Sequence, residues 1–188
     1  MAASSSLVPQ HDQLDLSLSL WKTNLISVPL AVISVLLVLV PFSLVWGVDY
    51  FAYGLRTFFE PFFFVPAGIF GIVLHEILHG AGWIWFGKVS PDAIRFGFHW
   101  KSLTPFAHCT VPVTAWAYRL ALVLPALVLG VTPAIVGLVT AWAWAVMFGA
   151  LFLAAASGDL LVLWVIRSVE RDRLVKDHPT RAGCVVLE

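Results

Sequence analysis

The sequence predicts an all-α polytopic membrane protein: four transmembrane helices with a small β-hairpin or sheet on the cytoplasmic side. Three observations predict it. Hydrophobic residues make up 60% of the 188 and charged residues 12%, where a soluble domain has about half and a quarter. Nine Trp and fourteen Phe suit the interfaces of a bilayer. The apolar stretches are long enough to cross a hydrocarbon core of roughly 30 Å, which takes about 20 helical residues. This composition, with a mean hydropathy of +0.92, excludes a disordered chain, a nucleic-acid binder and an ordinary soluble enzyme. Eleven basic and eleven acidic residues cancel, so no global field steers a partner.

The elements follow in order. Residues 1–24 form an N-terminal segment in which 14–20 alternates apolar and polar, the pattern of a strand. The first span, 25–46, carries no charge. The second, 62–86, is equally long but contains His75, Glu76 and His79. Residues 94–101 alternate again, and Ser102-Leu103-Thr104-Pro105 is a turn signal. We therefore read 93–111 as a hairpin with an apolar face, which the strand at 14–20, on the same side, could join. From 118 to 166 the chain is apolar apart from Arg119 and Asp159. It is too long for one helix, and Thr140, Trp142 and Trp144 mark an interface between spans 118–140 and 143–166. Pro125, Gly130 and Pro133 are expected to kink the third span. The tail, 167–188, is expected to open with a charged helical extension.

Four spans place both termini on one side with the loop 87–117. That side holds every Lys and Arg except Arg56, and this bias predicts that both termini are cytoplasmic. The N-terminus lacks the basic start, apolar run and cleavage site of a signal peptide. Cys109 and Cys184 are too few for a disulfide framework and are expected to stay reduced in the cytosol.

His75-Glu76-Ile77-Leu78-His79 is an HExxH motif. Residues four apart share a helix face, so two imidazoles so placed can grip one Zn²⁺ while the Glu takes a proton from a water. The blander reading is a polar patch that pairs with other helices. Ionisable groups inside a span cost several kcal/mol between them, which favours a functional role. Gly68, Gly71 and Gly82 share the histidine face at 100° per residue, and their lack of side chain lets another helix come close.

A catalytic zinc wants three protein ligands and one open position. The extended motif HExxHxxGxxH would need His at position 85, which is Trp. Glu170 and Glu188 lie outside the spans. Asp159 is the strongest third ligand. It is the other carboxylate placed inside a span, and it and His79 each sit seven residues from a cytoplasmic end, roughly 10 Å deep. Its alternative is a pairing with Arg or a hydroxyl. His108 and Cys109, on the loop facing the site, are rival ligands, and His108 is also a candidate for orienting substrate or stabilising an oxyanion. His108, Cys109, His178 and Cys184 offer in principle a second, structural metal site. His11 and His99 are expected at the surface.

These residues resemble the putative zincin peptidase family of small bacterial membrane proteins. The resemblance rests on His-Glu-x-x-His-Gly at 75–80, Pro-aromatic-Ala-His-Cys at 105–109, Tyr118-Arg119, Pro125, Leu129-Gly130, Pro133 and Ser157-Gly158-Asp159. It extends to Asp177-His178-Pro179 and Gly183-Cys184. More distantly, the layout is similar to the site-2 family of intramembrane metalloproteases, with HExxH on one span and a ligating Asp two spans later. There Gly follows the Asp; here Gly158 precedes Asp159 and Leu160 follows. The resemblance implies a zinc metalloprotease of a bacterial plasma membrane.

The sequence thus leads us to expect a zinc-dependent membrane endopeptidase. His75, His79 and Asp159 would hold the metal, and Glu76 would act as general base. Its substrate would be a membrane-anchored or membrane-proximal protein segment, which the hairpin would hold as an added strand. The rival is a metal-binding membrane scaffold or regulator without catalysis, although a structural site needs no Glu76. A transporter would show inverted halves, which are missing. A histidine-rich di-iron hydroxylase would need HxxHH clusters.

Overall fold

The structure is a computed structural model that describes residues 14–100 and 104–187. His11 and the turn residues 101–103 lie outside the described residues, as do the side chains of His99 and Thr104. The fold is mostly helical with two small antiparallel sheets.

Strand β1 (Leu14–Leu18) leads into helix α1 (Leu20–Trp46). Ser19 caps that helix, its hydroxyl accepting the Lys22 N–H at 3.4 Å. Helix α1 buries Thr23, Ser27 and Phe42 and leaves Leu25, Leu37 and Leu44 exposed. Its outward surface is thus more apolar than its inward one, which suits lipid and not water. Gly47, at φ 91°, lets the chain turn into a short helix α2 (Val48–Phe58), between the first two predicted spans. Gly54 brings α2 against helix α6 (Ala143–Ala155): a Cβ at Gly54 would lie 2.5 Å from Ala143 Cβ.

Helix α3 (Pro61–Gly87) begins with Pro at its first position, where the missing N–H costs nothing. It ends at Lys88 in the left-handed conformation. A 3₁₀ turn (Pro91–Ala93) leads into β2 (Ile94–His99), which pairs with β3 (Thr104–Cys109), so the predicted hairpin is present. After β4 (Val113–Thr114) the chain enters helix α4 (Ala115–Pro125), capped by the Thr114 hydroxyl. A π-helical segment (Ala126–Val131) joins α4 to α5 (Thr132–Thr140), making one long apolar rod. Pro133 offers no N–H to the carbonyl four residues back, and the ladder widens so that the Thr132 N–H reaches Leu127 O. The expected irregularity of the third span is therefore a π segment.

Helix α6 and helix α7 (Ser157–Val165) are bent by 42° at a one-residue break, Ala156. The region 143–166 is therefore two helices where the sequence suggested one. Three helices (Leu20–Trp46, Pro61–Gly87 and Ala115–Thr140) are long and apolar enough to cross a membrane, and the bent pair makes up to four.

Two expectations about the ends are corrected. Strand β1 does not join the hairpin. It pairs antiparallel with β6 (Ala182–Val186), with Leu14 opposite Val186 and Leu18 opposite Ala182, in a sheet of order β1-β6-β5-β4. Gly183 permits this pairing, since a Cβ there would run into Leu16 O. The tail opens with turns, not with a helical extension, and β5 spans Leu174–Asp177. Arg119 explains the stop: its guanidinium donates to the carbonyls of Ile166 at 2.6 Å and Val169 at 2.5 Å. These carbonyls would otherwise continue the α7 ladder.

Both sheets gather at one end of the helices. Val175 of β5 and Cys184 of β6 pack in the same core as Trp83 of α3, Cys109 of β3 and Tyr118 of α4.

Candidate metal centre

Helix α3 carries His75 and His79 one turn apart on its buried face. Their Nε2 atoms lie 3.1 Å from each other. Gly82, one turn further on, is why α4 can come so near. A Cβ at Gly82 would lie 2.6 Å from Ala121 Cα. At that approach the Ala121 carbonyl meets His79 Nδ1 at 2.9 Å. A carbonyl only accepts, so the proton sits on Nδ1 and the Nε2 lone pair is free to bind a metal. Gly71, a turn or so before His75, lies against the Phe152 ring of α6, while Gly68 meets nothing within 4 Å. Of the three glycines on the histidine face, two are packing positions.

Helix α7 brings Asp159. The break at Ala156 places this residue in the first turn of a new helix, where the positive end of the helix dipole favours a carboxylate. Asp159 Oδ2 is 3.1 Å from His75 Nε2, and Oδ1 is 3.5 Å from His79 Nε2. One ligand atom from each of His75, His79 and Asp159 lies within 4.8 Å of the other two. Tetrahedral ligands at about 2.0–2.1 Å from an ion stand roughly 3.3 Å apart. The His75–His79 and His75–Asp159 Oδ2 separations, both 3.1 Å, are close to that edge. Two imidazoles and one carboxylate are also a donor set that zinc accepts. The residues therefore fit a zinc ion.

Glu76 is half-buried, and its carboxylate takes a hydrogen bond from the Ala107 backbone. Hairpin strand β3 thus lies directly beside the motif. A cleft of about 260 Å³ opens over the three candidate ligands. It is bordered by Thr23 and Asn24 of α1, Ala107 and His108 of β3, and the 178–183 turn.

Among the described residues, the rival ligands His108 and Cys109 do not join the His75–His79–Asp159 group. His108 lines the cleft but does not belong to the metal-holding group; its Nδ1 is 2.7 Å from Asp177 Oδ2. Cys109 points into the core, with its thiol on the Val111 carbonyl at 3.3 Å. Burial raises its pKa. Cys184 is likewise fully buried, and burial followed by the nearby Asp177 charge pushes its thiol up to about 12. Both cysteines are free thiols. Among the described residues, His108, Cys109, His178 and Cys184 form no second metal cluster. His178 instead accepts the Thr180 and Arg181 N–H groups at 3.2 and 3.1 Å.

The sequence reading counted Asp177 and Tyr118 among the residues that carry the resemblance but gave neither a part in the site. Asp177 sits at the end of β5, buried, and takes the Tyr118 hydroxyl at 2.8 Å. A further signal was the alternation Leu174-Val175-Lys176-Asp177, which puts Val175 and Asp177 on the buried face.

No curated protein and no solved structure matches the chain significantly. A family model described as "Putative zincin peptidase" matches residues 68–174, more than half of the chain and a stretch that holds His75, Glu76, His79, His108 and Asp159. By that match the chain belongs to the putative zincin peptidase family.

Proposed function

We propose that this protein is a zinc-dependent endopeptidase embedded in a membrane. It would cut membrane-anchored or membrane-proximal segments of other proteins. The observation that carries the reading is the convergence of His75, His79 and Asp159 at metal-ligand spacing, with the Glu76 carboxylate adjacent in the same cleft. His75, His79 and Asp159 would hold the ion. Zinc bound there supplies a Lewis acid that acidifies a water and polarises a peptide carbonyl. Glu76 takes the proton from that water and returns it to the leaving amine nitrogen. His79 would present its Nε2 to the ion, because Ala121 holds Nδ1.

The membrane placement we propose has four spans, with α6 and α7 together as the fourth and both termini in the cytoplasm of a bacterial cell. The pairing of β1 with β6 supports an even number of crossings. So does the approach of the hairpin to β5, through His108 and Asp177. An extended substrate would lie along the hairpin near Glu76.

The test is purified protein in detergent, wild type beside Glu76→Gln, assayed for bound zinc and for cleavage of a fluorescence-quenched casein. Equal zinc with activity lost by at least 100-fold in Glu76→Gln is the expected result. Zinc without cleavage in the wild type would favour a metal-binding scaffold.

A further inference from the structure

Asp177 gathers more donors than a strand end needs. Its Oδ2 meets His108 Nδ1 at 2.7 Å and the Cys109 N–H at 3.3 Å. Its Oδ1 accepts the Tyr118 hydroxyl at 2.8 Å, a group that also lies 3.1 Å from Gly183 O. The residue is buried, 9% exposed. Burying a carboxylate with its partners is costly, and such an arrangement gives little net stability compared with apolar packing. A stabilising role alone does not account for it.

The geometry at His108 adds a second observation. A carboxylate oxygen accepts, so the Nδ1–H of His108 donates to Asp177 Oδ2. That leaves the Nε2 edge. It has no bonding partner among the described residues, and His108 borders the cleft together with His75, Glu76 and Asp159. On the preceding residue, the Ala107 backbone holds the Glu76 carboxylate. The strand that fixes the proposed base therefore also presents a histidine to the same space.

We propose that Asp177 is a positioning residue that orients His108, and that His108 donates an Nε2–H hydrogen bond to the substrate carbonyl oxygen as charge develops there. This rests on the peptidase reading above. In that reading Glu76 handles the proton and His108 steadies the oxyanion, while Asp177 keeps hold of Nδ1. No bond to His108 forms or breaks. Asp177 also lies beyond the stretch 68–174 that the family model covers, so the C-terminal sheet would complete the active site.

The test uses the full-length protein in detergent with ¹⁵N-labelled histidine. Wild type is compared with Asp177→Asn, Asp177→Glu, His108→Ala and the His108→Ala/Asp177→Asn double variant. The loss of one oxyanion donor costs about 100- to 1,000-fold in kcat. His108→Ala should therefore lower kcat on quenched casein by about 100-fold with KM changed less than about 3-fold. Bound zinc should stay equal to wild type. Asp177→Asn should lose at least about 10-fold in kcat and change the ¹⁵N signals of His108, because an amide can donate to Nδ1. Asp177→Glu should recover part of the rate. The double variant should be no slower than His108→Ala. Full kcat in His108→Ala, additive losses in the double variant, or an unchanged His108 spectrum in Asp177→Asn would each overturn the proposal. If Asp177→Asn fails to fold, His108→Ala still decides it. A wild type that binds zinc but cleaves nothing would sink the peptidase reading and this role with it. An active wild type with a normal His108→Ala would sink this role alone.

Discussion

His79 donates its Nδ1 proton to the Ala121 carbonyl at 2.9 Å, and that bond decides which ring nitrogen turns toward Asp159. The relationship depends on a missing side chain. Gly82 sits one turn after His79, and a Cβ there would lie 2.6 Å from Ala121 Cα. The obstacle is backbone, so it cannot swing aside as a flexible side chain would. Gly82→Ala is therefore expected to push α4 outward and stretch the His79–Ala121 bond. Outer partners of this kind are worth roughly 10- to 100-fold in metal affinity. A chelator competition on purified protein should show zinc affinity falling by about 10-fold or more. Unchanged affinity in a folded Gly82→Ala protein would mean that this bond does not orient the ligand.

Asp159 and His108 make opposite predictions about metal. Asp159 lies 3.1 Å from His75 Nε2, whereas His108 Nδ1 is held by Asp177. Asp159→Asn removes the negative oxygen donor while keeping the shape. Bound zinc should drop below about half an ion per chain, read by elemental analysis after dialysis. His108→Ala should retain the wild-type amount. Zinc lost with His108→Ala and kept with Asp159→Asn would exchange their roles.

Much of the site was legible because its signals are local or chemically costly. HExxH puts two imidazoles on one helix face by the helical repeat alone. Asp159 stood out because an acidic residue in an apolar run needs a reason, and the depth argument matched it to His79. Elsewhere the pattern carried less. The break at Ala156 lies in a run of small residues that reads as continuous helix, and only packing reveals the 42° bend. The pairing of β1 with β6 joins strands separated by nearly the whole chain; period-two alternation predicts a strand but does not name its partner. The tail was misread because Arg167, Arg171 and Arg173 look like a solvated helix. A distant residue, Arg119, takes the carbonyls such a helix would need. The role of Asp177 was hidden for the same reason: its partners His108 and Tyr118 lie 69 and 59 residues away.

The two thiols give a test of the end where the sheets gather. Cys109 and Cys184 are both fully buried. Burial raises the pKa of both, with Cys184 reaching about 12. A thiol in an unfolded chain titrates near 8.5. The fold therefore favours the neutral form, and this contribution to stability is fully present below about pH 8.5. As pH climbs from there toward 12, the unfolded state loses protons that the folded state keeps, and the contribution falls away. Two outcomes are expected in detergent. At pH 8 the native protein should resist N-ethylmaleimide at both cysteines, because the thiolate is the nucleophile and it is scarce, while denatured protein should take up two labels. The thermal midpoint should decline between pH 9 and 11, and Cys184→Ser should flatten part of that decline. Rapid labelling of native Cys184 at pH 8 would contradict the burial of the β5–β6 core, and with it the placement of Asp177 beside the cleft.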